Sequence, residues 1–318
     1  MTRERALAGR MEHELLLRSK LMRIAEPGLA PIVAGLATEV TFEPGEALYR
    51  AGDRSDCFHA LVSGAVELAT GAVPPRVVED PFGLGLLDVL ADRPRALTAT
   101  AVTRVRAMRV RADDYLDLLE EHFELVMSTM RGITRGVHEA SLALAPDGGF
   151  AEVPCPPESA LDLPAGPLGV VRKIGVLHEA AVFRGANMQA LVRLAGLAKE
   201  ARFQAGEVVF GRGEAAGKFY VVARGVVEAR RQAPELSARF RRADLVCGHG
   251  AFGEADNEYV ATARTPAIVM SFREEDFFDV MEEHFELTRS VLSGIASEYE
   301  RLLALRERRL GAPPAVGL

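Results

Sequence analysis

The chain is poor in cysteine, has no long apolar run and carries no excess of positive charge, and each shortage removes a class of protein. Cys57, Cys155 and Cys247 are odd in number and widely separated in 318 residues. A disulfide framework is therefore not expected, and a chain of this size needs none to hold a core. No apolar stretch approaches the roughly 18 residues that would span a bilayer. The opening run MTRERALAGRMEHELLLRSK is charged and amphipathic, without the apolar centre of a secretory signal. The expectation is a cytoplasmic protein that does not engage a membrane. Lys plus Arg number 38 against 45 for Asp plus Glu, a net charge of -7. A nucleic-acid partner would usually call for the opposite balance, so none is expected.

What the sequence does contain is a repeat. Hydrophobic residues make up 48% and charged residues 26%, the proportions of a packed globular chain, and the length suits two domains. Phe42-Glu43-Pro44-Gly45-Glu46 is matched 161 residues later by Phe203-Gln204-Ala205-Gly206-Glu207. The offset holds through Gly52 and Gly213, Phe58 and Phe219, Gly64 and Gly225, and Glu67 and Glu228. Glu120-Glu121-His122-Phe123-Glu124-Leu125 then recurs unchanged as Glu282-Glu283-His284-Phe285-Glu286-Leu287. Units this long and this few are two copies of one domain, not a solenoid.

Each copy has the same grammar. A helical stretch opens it, as Met188, Leu191, Leu194, Ala195 and Ala198 do in the second. Short β-branched and aromatic runs separated by glycine follow: Glu207–Phe210, Lys218–Ala223 and Val226–Arg230 in the second copy. A helix closes each copy, with stripes at Val126, Met130, Ile133 and Val137, and at Leu292, Ile295, Tyr299 and Leu302. The second stripe resembles a coiled-coil seam and leads to the expectation of a homodimer through the C-terminal helix. The fold class expected is α+β, mainly β: two tandem β-roll (jelly-roll) domains, each flanked by N- and C-terminal helices. The expected boundaries are a helical segment at 1–30, a first domain at 31–145, a proline-rich linker at 146–168 and a second domain at 169–318. Pro146, Pro154, Pro156, Pro157, Pro164 and Pro167 exclude a helix interior or central strand from the linker.

The order of helix, glycine-punctuated strands, Phe-Gly-Glu and closing helix resembles the cyclic-nucleotide-binding domain family, over nearly the whole chain outside the linker and tails. That resemblance implies a phosphate-binding cassette of the form Phe-Gly-Glu-Leu, a short helix, then Pro-Arg-Ala-Ala. The chemistry is intelligible from its parts. A cyclic phosphate wants an arginine and backbone N–H groups, the ribose hydroxyl wants a carboxylate acceptor, and glycine lets the backbone come close. In the first copy, Leu84-Gly85-Leu86 through Arg93-Pro94-Arg95-Ala96 fits this frame. Arg95 falls on the phosphate arginine, Gly85 on the glycine, Leu86 where the glutamate should be, and Ala96 after the arginine. An alternative register on Phe82-Gly83 also lacks the glutamate. Ala96 offers no hydroxyl to a guanine, which puts cyclic AMP ahead of cyclic GMP. In the second copy, Phe252-Gly253-Glu254 keeps the glycine and glutamate, but the short helix and Pro-Arg pair are missing, and Asp256 and Glu258 would repel a phosphate. The ligand-binding candidates are therefore Gly85, Leu86, Arg95 and Ala96, with Gly253 and Glu254 a degenerate remnant. Loss of one charge-assisted hydrogen bond weakens binding by about 10- to 100-fold.

No nucleophile–base pair or catalytic carboxylate pair stands out, so an enzyme is not expected. The repeated His122 and His284 follow from shared ancestry, and Cys247-Gly248-His249 has no second metal-binding pair nearby. Glu254 has an ordinary alternative role as the partner of an arginine such as Arg264. Arg230, Arg231, Arg239, Arg241 and Arg242 make a basic hairpin, either solvated or a surface for an acidic partner. Two readings of function remain. One is a regulatory sensor that passes ligand binding through its closing helices to a protein partner. The other is a scaffold that has kept the fold and lost the ligand. A transcription factor is not expected, because the closing helix uses up the residues that a DNA-reading module would need.

Overall fold

The computed structural model describes residues 30–69, 74–79, 83–144, 166–214, 217–232, 235–246 and 259–310. The expected amphipathic helix at 11–24, nearly all of the proline-rich linker, and the second cassette with Gly253 and Glu254 lie outside the described residues. Among the described residues, no helix is long and apolar enough to cross a membrane, and no group of three or more His, Cys, Asp or Glu side chains could hold a metal ion.

The first copy begins with helix α1 (Ala30–Leu36). Eight strands follow: β1 (Thr38–Phe42), β2 (Ala47–Tyr49), β3 (Cys57–Ser63), β4 (Ala65–Ala69), β5 (Arg76–Glu79), β6 (Gly83–Leu84), β7 (Thr98–Ala101) and β8 (Val105–Arg111). Helix α2 (Leu86–Leu90) interrupts them after β6. The strands form two four-stranded antiparallel sheets, ordered β1-β8-β3-β6 and β2-β7-β4-β5. Helices α3 (Ala112–Glu121) and α4 (Phe123–Leu144) close the copy.

The second copy repeats this strand for strand. Helices α5 (Val170–Glu179) and α6 (Met188–Leu197) precede β9 (Lys199–Phe203), β10 (Val208–Phe210), β11 (Lys218–Arg224) and β12 (Val227–Gln232). Strands β13 (Glu235–Phe240), β14 (Leu245–Val246), β15 (Val260–Ala263) and β16 (Ala267–Arg273) follow, then α7 (Glu274–Glu283) and α8 (Phe285–Leu310). The sheet orders β14-β11-β16-β9 and β10-β15-β12-β13 are those of the first copy shifted by eight strands. The expected β-roll class is thus the observed one.

The cores explain why the strands form where they do. In the first roll, Leu61, Val66, Leu68, Leu84 and Ala99 are buried together, and Val222, Val227, Ala229, Val246 and Ala261 do the same in the second. These are the same positions of the repeat, filled by small and β-branched apolar residues that suit two facing sheets. Behind each roll an aromatic pair joins a sheet to a helix: Phe58 against Tyr115 at 5.1 Å, and Phe219 against Phe277 at 4.6 Å. The Tyr115 hydroxyl shares a hydrogen bond of 2.9 Å with Thr129, tying α3 to α4.

Two features of the sequence acquire a structural reason. His122 and His284 are the residues at which each closing helix breaks, with nearly equal backbone angles (φ -129, ψ 87 and φ -132, ψ 85). Gly64 and Gly225 sit at positive φ (102° and 86°), and a β-carbon there would meet the carbonyl of Arg104 or Pro266. No larger residue fits either turn.

The described residues up to Gly136 and those from Ala296 onward form one compact unit, and Val137–Ile295 form a second. The expected boundary would leave all of α8 with the second domain, whereas contacts group its C-terminal half with the first. The stripe expected to pair with a second chain, Leu292, Ile295, Tyr299 and Leu302, is buried within the chain itself. Met188, read as part of the α6 stripe, is 58% exposed, while Leu191, Leu194 and Ala195 are buried.

Replacing Gly64 by Ala is expected to cost about 1–3 kcal/mol from backbone strain, with the carbonyl clash added. Urea unfolding of the variant checks this. The same change at Gly45, whose β-carbon would meet nothing within 4 Å despite its φ of 87°, should cost less.

Candidate functional site

The first cassette occupies the crossing from β6 to β7. Gly85 adopts φ 84°, a conformation that residues with a β-carbon rarely take, and this turn opens α2. The register on Gly85 is thus the one that begins the short helix, while Gly83 is paired within β6. After α2, the chain returns through Asp92 at φ 49° to Arg93, Pro94 and Arg95. Backbone bonds fix this return: Gly52 N–H donates to Arg95 O at 2.9 Å, and Arg95 N–H donates to Asp53 O at 2.8 Å. The Ser55 hydroxyl donates to Arg93 O at 2.7 Å.

Arg95 is the centre of the arrangement. It is 3% exposed. Its Nη1 donates to Gly85 O at 3.0 Å, its Nη2 donates to Cys57 O, and its guanidinium lies 4.4 Å from the centre of the Tyr49 ring. Asp88 stands 3.9 Å away. The Nε of Arg95 is buried and has no hydrogen-bond partner among the described residues. A β-carbon on Gly85 would fall onto the guanidinium, so glycine is required there for the arginine as well as for the turn.

A second charged group sits beside it. Asp88, on α2 and 4% exposed, accepts from Arg93 Nε at 3.2 Å, from Arg93 Nη2 at 3.1 Å and from Ala96 N–H at 3.4 Å. Arg93 also contacts the Glu300 carboxylate of α8, within the same compact unit. Burial pushes Glu300 above the usual carboxylate range; Arg93 opposes this and the Asp88 carboxylate adds to it.

These residues border a cavity of ≈ 330 Å³. Its walls include Tyr49, Leu86, Arg93, Ala96, Tyr299 and Glu300. Of the expected site residues, Gly85, Leu86 and Ala96 line it, while Arg95 lies behind that lining, under Tyr49. Leu86 is 5% exposed and brings no acceptor. Asp88, Arg93, Tyr299 and Glu300 were not singled out from the sequence. Asp88 and Arg93 could have been found as an acid and a base five apart across the cassette helix, but nothing in the sequence connects Glu300 to a loop some two hundred residues earlier.

His59 lies next to this cluster, stacked on Tyr49 at 6.3 Å and edge-on to Phe42 at 5.8 Å. Burial, then the charges of Arg95 and Arg109, push it down from 6.5 to about 4.

The expected basic hairpin is β12–β13. Glu228, 3% exposed, meets Arg230 at 2.7 Å, Arg239 at 3.1 Å and Arg264 at 3.8 Å. Arg242 pairs with Glu179 at 2.7 Å. Much of the hairpin's charge is therefore balanced inside the second unit. Arg264, suggested as a partner for Glu254, faces Glu228.

The family model described as cyclic nucleotide-binding domain matches residues 39–122 and 200–284, together more than half of the chain. A CRP-like cAMP-activated global transcriptional regulator of Mycobacterium tuberculosis is 25% identical over 146 residues, which is 44% of this chain and 65% of that protein. This chain thus spans less than two thirds of that relative's length. Among solved structures, the regulatory domain of Toxoplasma gondii PKA with cAMP is 17% identical, covers 92% of this chain and 97% of its own, and has a TM-score of 0.35. The regulatory subunit of a cAMP-independent protein kinase A from Trypanosoma brucei is 16% identical, covers 86% and 87%, and has a TM-score of 0.33.

Because the folded state keeps His59 neutral, its contribution is complete above about pH 6.5 and is lost as pH falls from 6.5 toward 4, where only the unfolded chain takes the proton. Urea unfolding at pH 7 and pH 4 should show His59→Gln losing less stability on acidification than the parent, by up to about 3 kcal/mol.

Proposed function

The chain belongs to the cyclic nucleotide-binding domain family and carries the domain twice, and from that premise we propose that it is a non-enzymatic regulatory protein whose first copy takes a cyclic nucleotide, cyclic AMP ahead of cyclic GMP. The observation that carries this reading is the buried Arg95, whose Nε has no hydrogen-bond partner among the described residues. An unsatisfied donor on a buried cation is costly, and an anionic ligand would satisfy it. The cation is already held in place by Gly85 O, Cys57 O and the Tyr49 face, so its own ordering costs a ligand little, but the cavity lining in front of it has to give way for a ligand to reach it. The cavity is large enough for a small ligand. Ala96 lines it and offers a methyl group rather than a hydroxyl, which favours adenine.

Binding in this site is weak. Leu86 brings no acceptor for a ribose hydroxyl, a loss of about 10- to 100-fold in affinity. A protein partner that reads the closing helices completes the proposed role, because a ligand acts only through a difference in affinity for two conformations. A second reading is a ligand-free scaffold. The observation favouring it is that Arg95 already has two carbonyl partners, a ring face and a carboxylate near it.

Calorimetric titration with cyclic AMP and cyclic GMP separates the two. The proposed role predicts saturable binding of cyclic AMP at about 100 μM, weaker binding of cyclic GMP, and loss of at least about tenfold in Arg95→Ala. No heat with either ligand up to millimolar concentration, with the parent chain folded, would establish the scaffold.

A further inference from the structure

The cavity of the first copy is not walled by that copy alone. Ser297, Tyr299, Glu300, Arg301, Leu303 and Ala304, from the C-terminal half of α8, border it. These residues belong to the same compact unit as the roll. Two contacts hold them there. Tyr299 is fully buried, and its ring fills a notch at Gly136 of α4, where a β-carbon would collide with it. Glu300, with its side chain 15% exposed, contacts Arg93, which also binds Asp88 on the cassette helix. The notch fixes where the helix lies. The carboxylate ties it to the part of the cassette that a ligand would touch.

We propose that Glu300 is a latch that docks the end of α8 on the first cassette, and that an anionic ligand entering the cavity draws Arg93 away from it and releases residues 297–310. The latch is well suited to this. Arg93 is the cationic side chain shared by the cavity wall, the cassette helix and α8. Its side chain is 35% exposed, so it can turn toward a ligand; Asp88 then keeps the Ala96 N–H and the nearby Arg95, while Glu300, left without its cation, is carried out of the wall as α8 detaches. Arg95 is 1% exposed at its side chain and cannot move in this way. A ligand in the first copy would thereby be reported at the far end of the chain, along a helix that begins in the second. The docking part of the proposal stands on the ligand-free structure, and only the release part rests on the cyclic-nucleotide reading.

Amide hydrogen exchange on the full-length protein tests the two parts separately. Without ligand, Glu300→Ala and Gly136→Ala should each raise exchange in residues 297–304 about tenfold, with strands β3 and β8 unchanged. Both replacements favour helix, so neither should unfold α8 or α4. Glu298→Ala, which removes a pairing with Arg301 inside α8, should leave the exchange near the parent value. Parent-like exchange in both Glu300→Ala and Gly136→Ala would overturn the latch. With cyclic AMP at saturation, residues 297–304 of the parent should exchange faster. Calorimetric binding with no change, or with slower exchange, would overturn the release. Absence of any binding would remove the cyclic-nucleotide reading and the release that rests on it, while the ligand-free comparison would still decide the latch.

Discussion

A single buried guanidinium organises the first copy. Arg95 binds the carbonyl of Gly85 before the cassette helix and that of Cys57 at the start of β3, and it lies across the Tyr49 ring at the end of β2. It thereby joins three segments that are distant in sequence. A charge this deep is tolerated only when it is closely partnered. Much of the surrounding sequence serves that need. Gly85 must lack a side chain to leave room for it, Asp88 stands near enough to balance it, and its own backbone is bonded on both sides to the turn at Gly52 and Asp53. His59, buried beside Tyr49, stays neutral partly because Arg95 is close.

The two copies share a frame and differ in what they hang on it. The sheets, the buried positions, the turn glycines and the helix break at histidine all repeat. The cassette sequence does not. In the first copy it is a helix and a return loop centred on arginine. Among the described residues of the second copy, Arg230, Arg239 and Arg264 gather around Glu228 on β12, β13 and the turn after β15. A duplicated domain can diverge in this way because its stability comes from the apolar interior of the roll, while the charged groups lie on a loop or at a sheet surface.

The fold was readable because its signals are local and periodic. Glycine at the turns, alternating apolar residues in the strands and the 3–4 spacing of the closing helices are each imposed within a few residues. The repeat then doubled every one of them. Gly85, Leu86 and Ala96, which share one cavity wall, could be grouped by the same means, since the cassette is one short continuous segment. Arg95 lies on the same segment, but its burial behind the cavity wall depends on Tyr49 and Cys57, which join it only through the tertiary fold. Tyr299 was read as part of a seam for a second chain because its stripe looks the same whichever surface it meets. Its actual place, the notch at Gly136, is set by a missing side chain on another helix, and no spacing rule reports that. Glu300 lies one residue beyond in the same helix and was hidden for the same reason.

Arg95 is proposed as a pre-set anion seat with one donor unpaired among the described residues. Its Nε–H resonance in an arginine-selective NMR spectrum, assigned by its disappearance in Arg95→Lys, tests that claim directly. This resonance is expected to shift on addition of cyclic AMP, in proportion to the occupancy measured by calorimetry. A resonance that stays fixed while cyclic AMP demonstrably binds would contradict it and place the ligand on other groups.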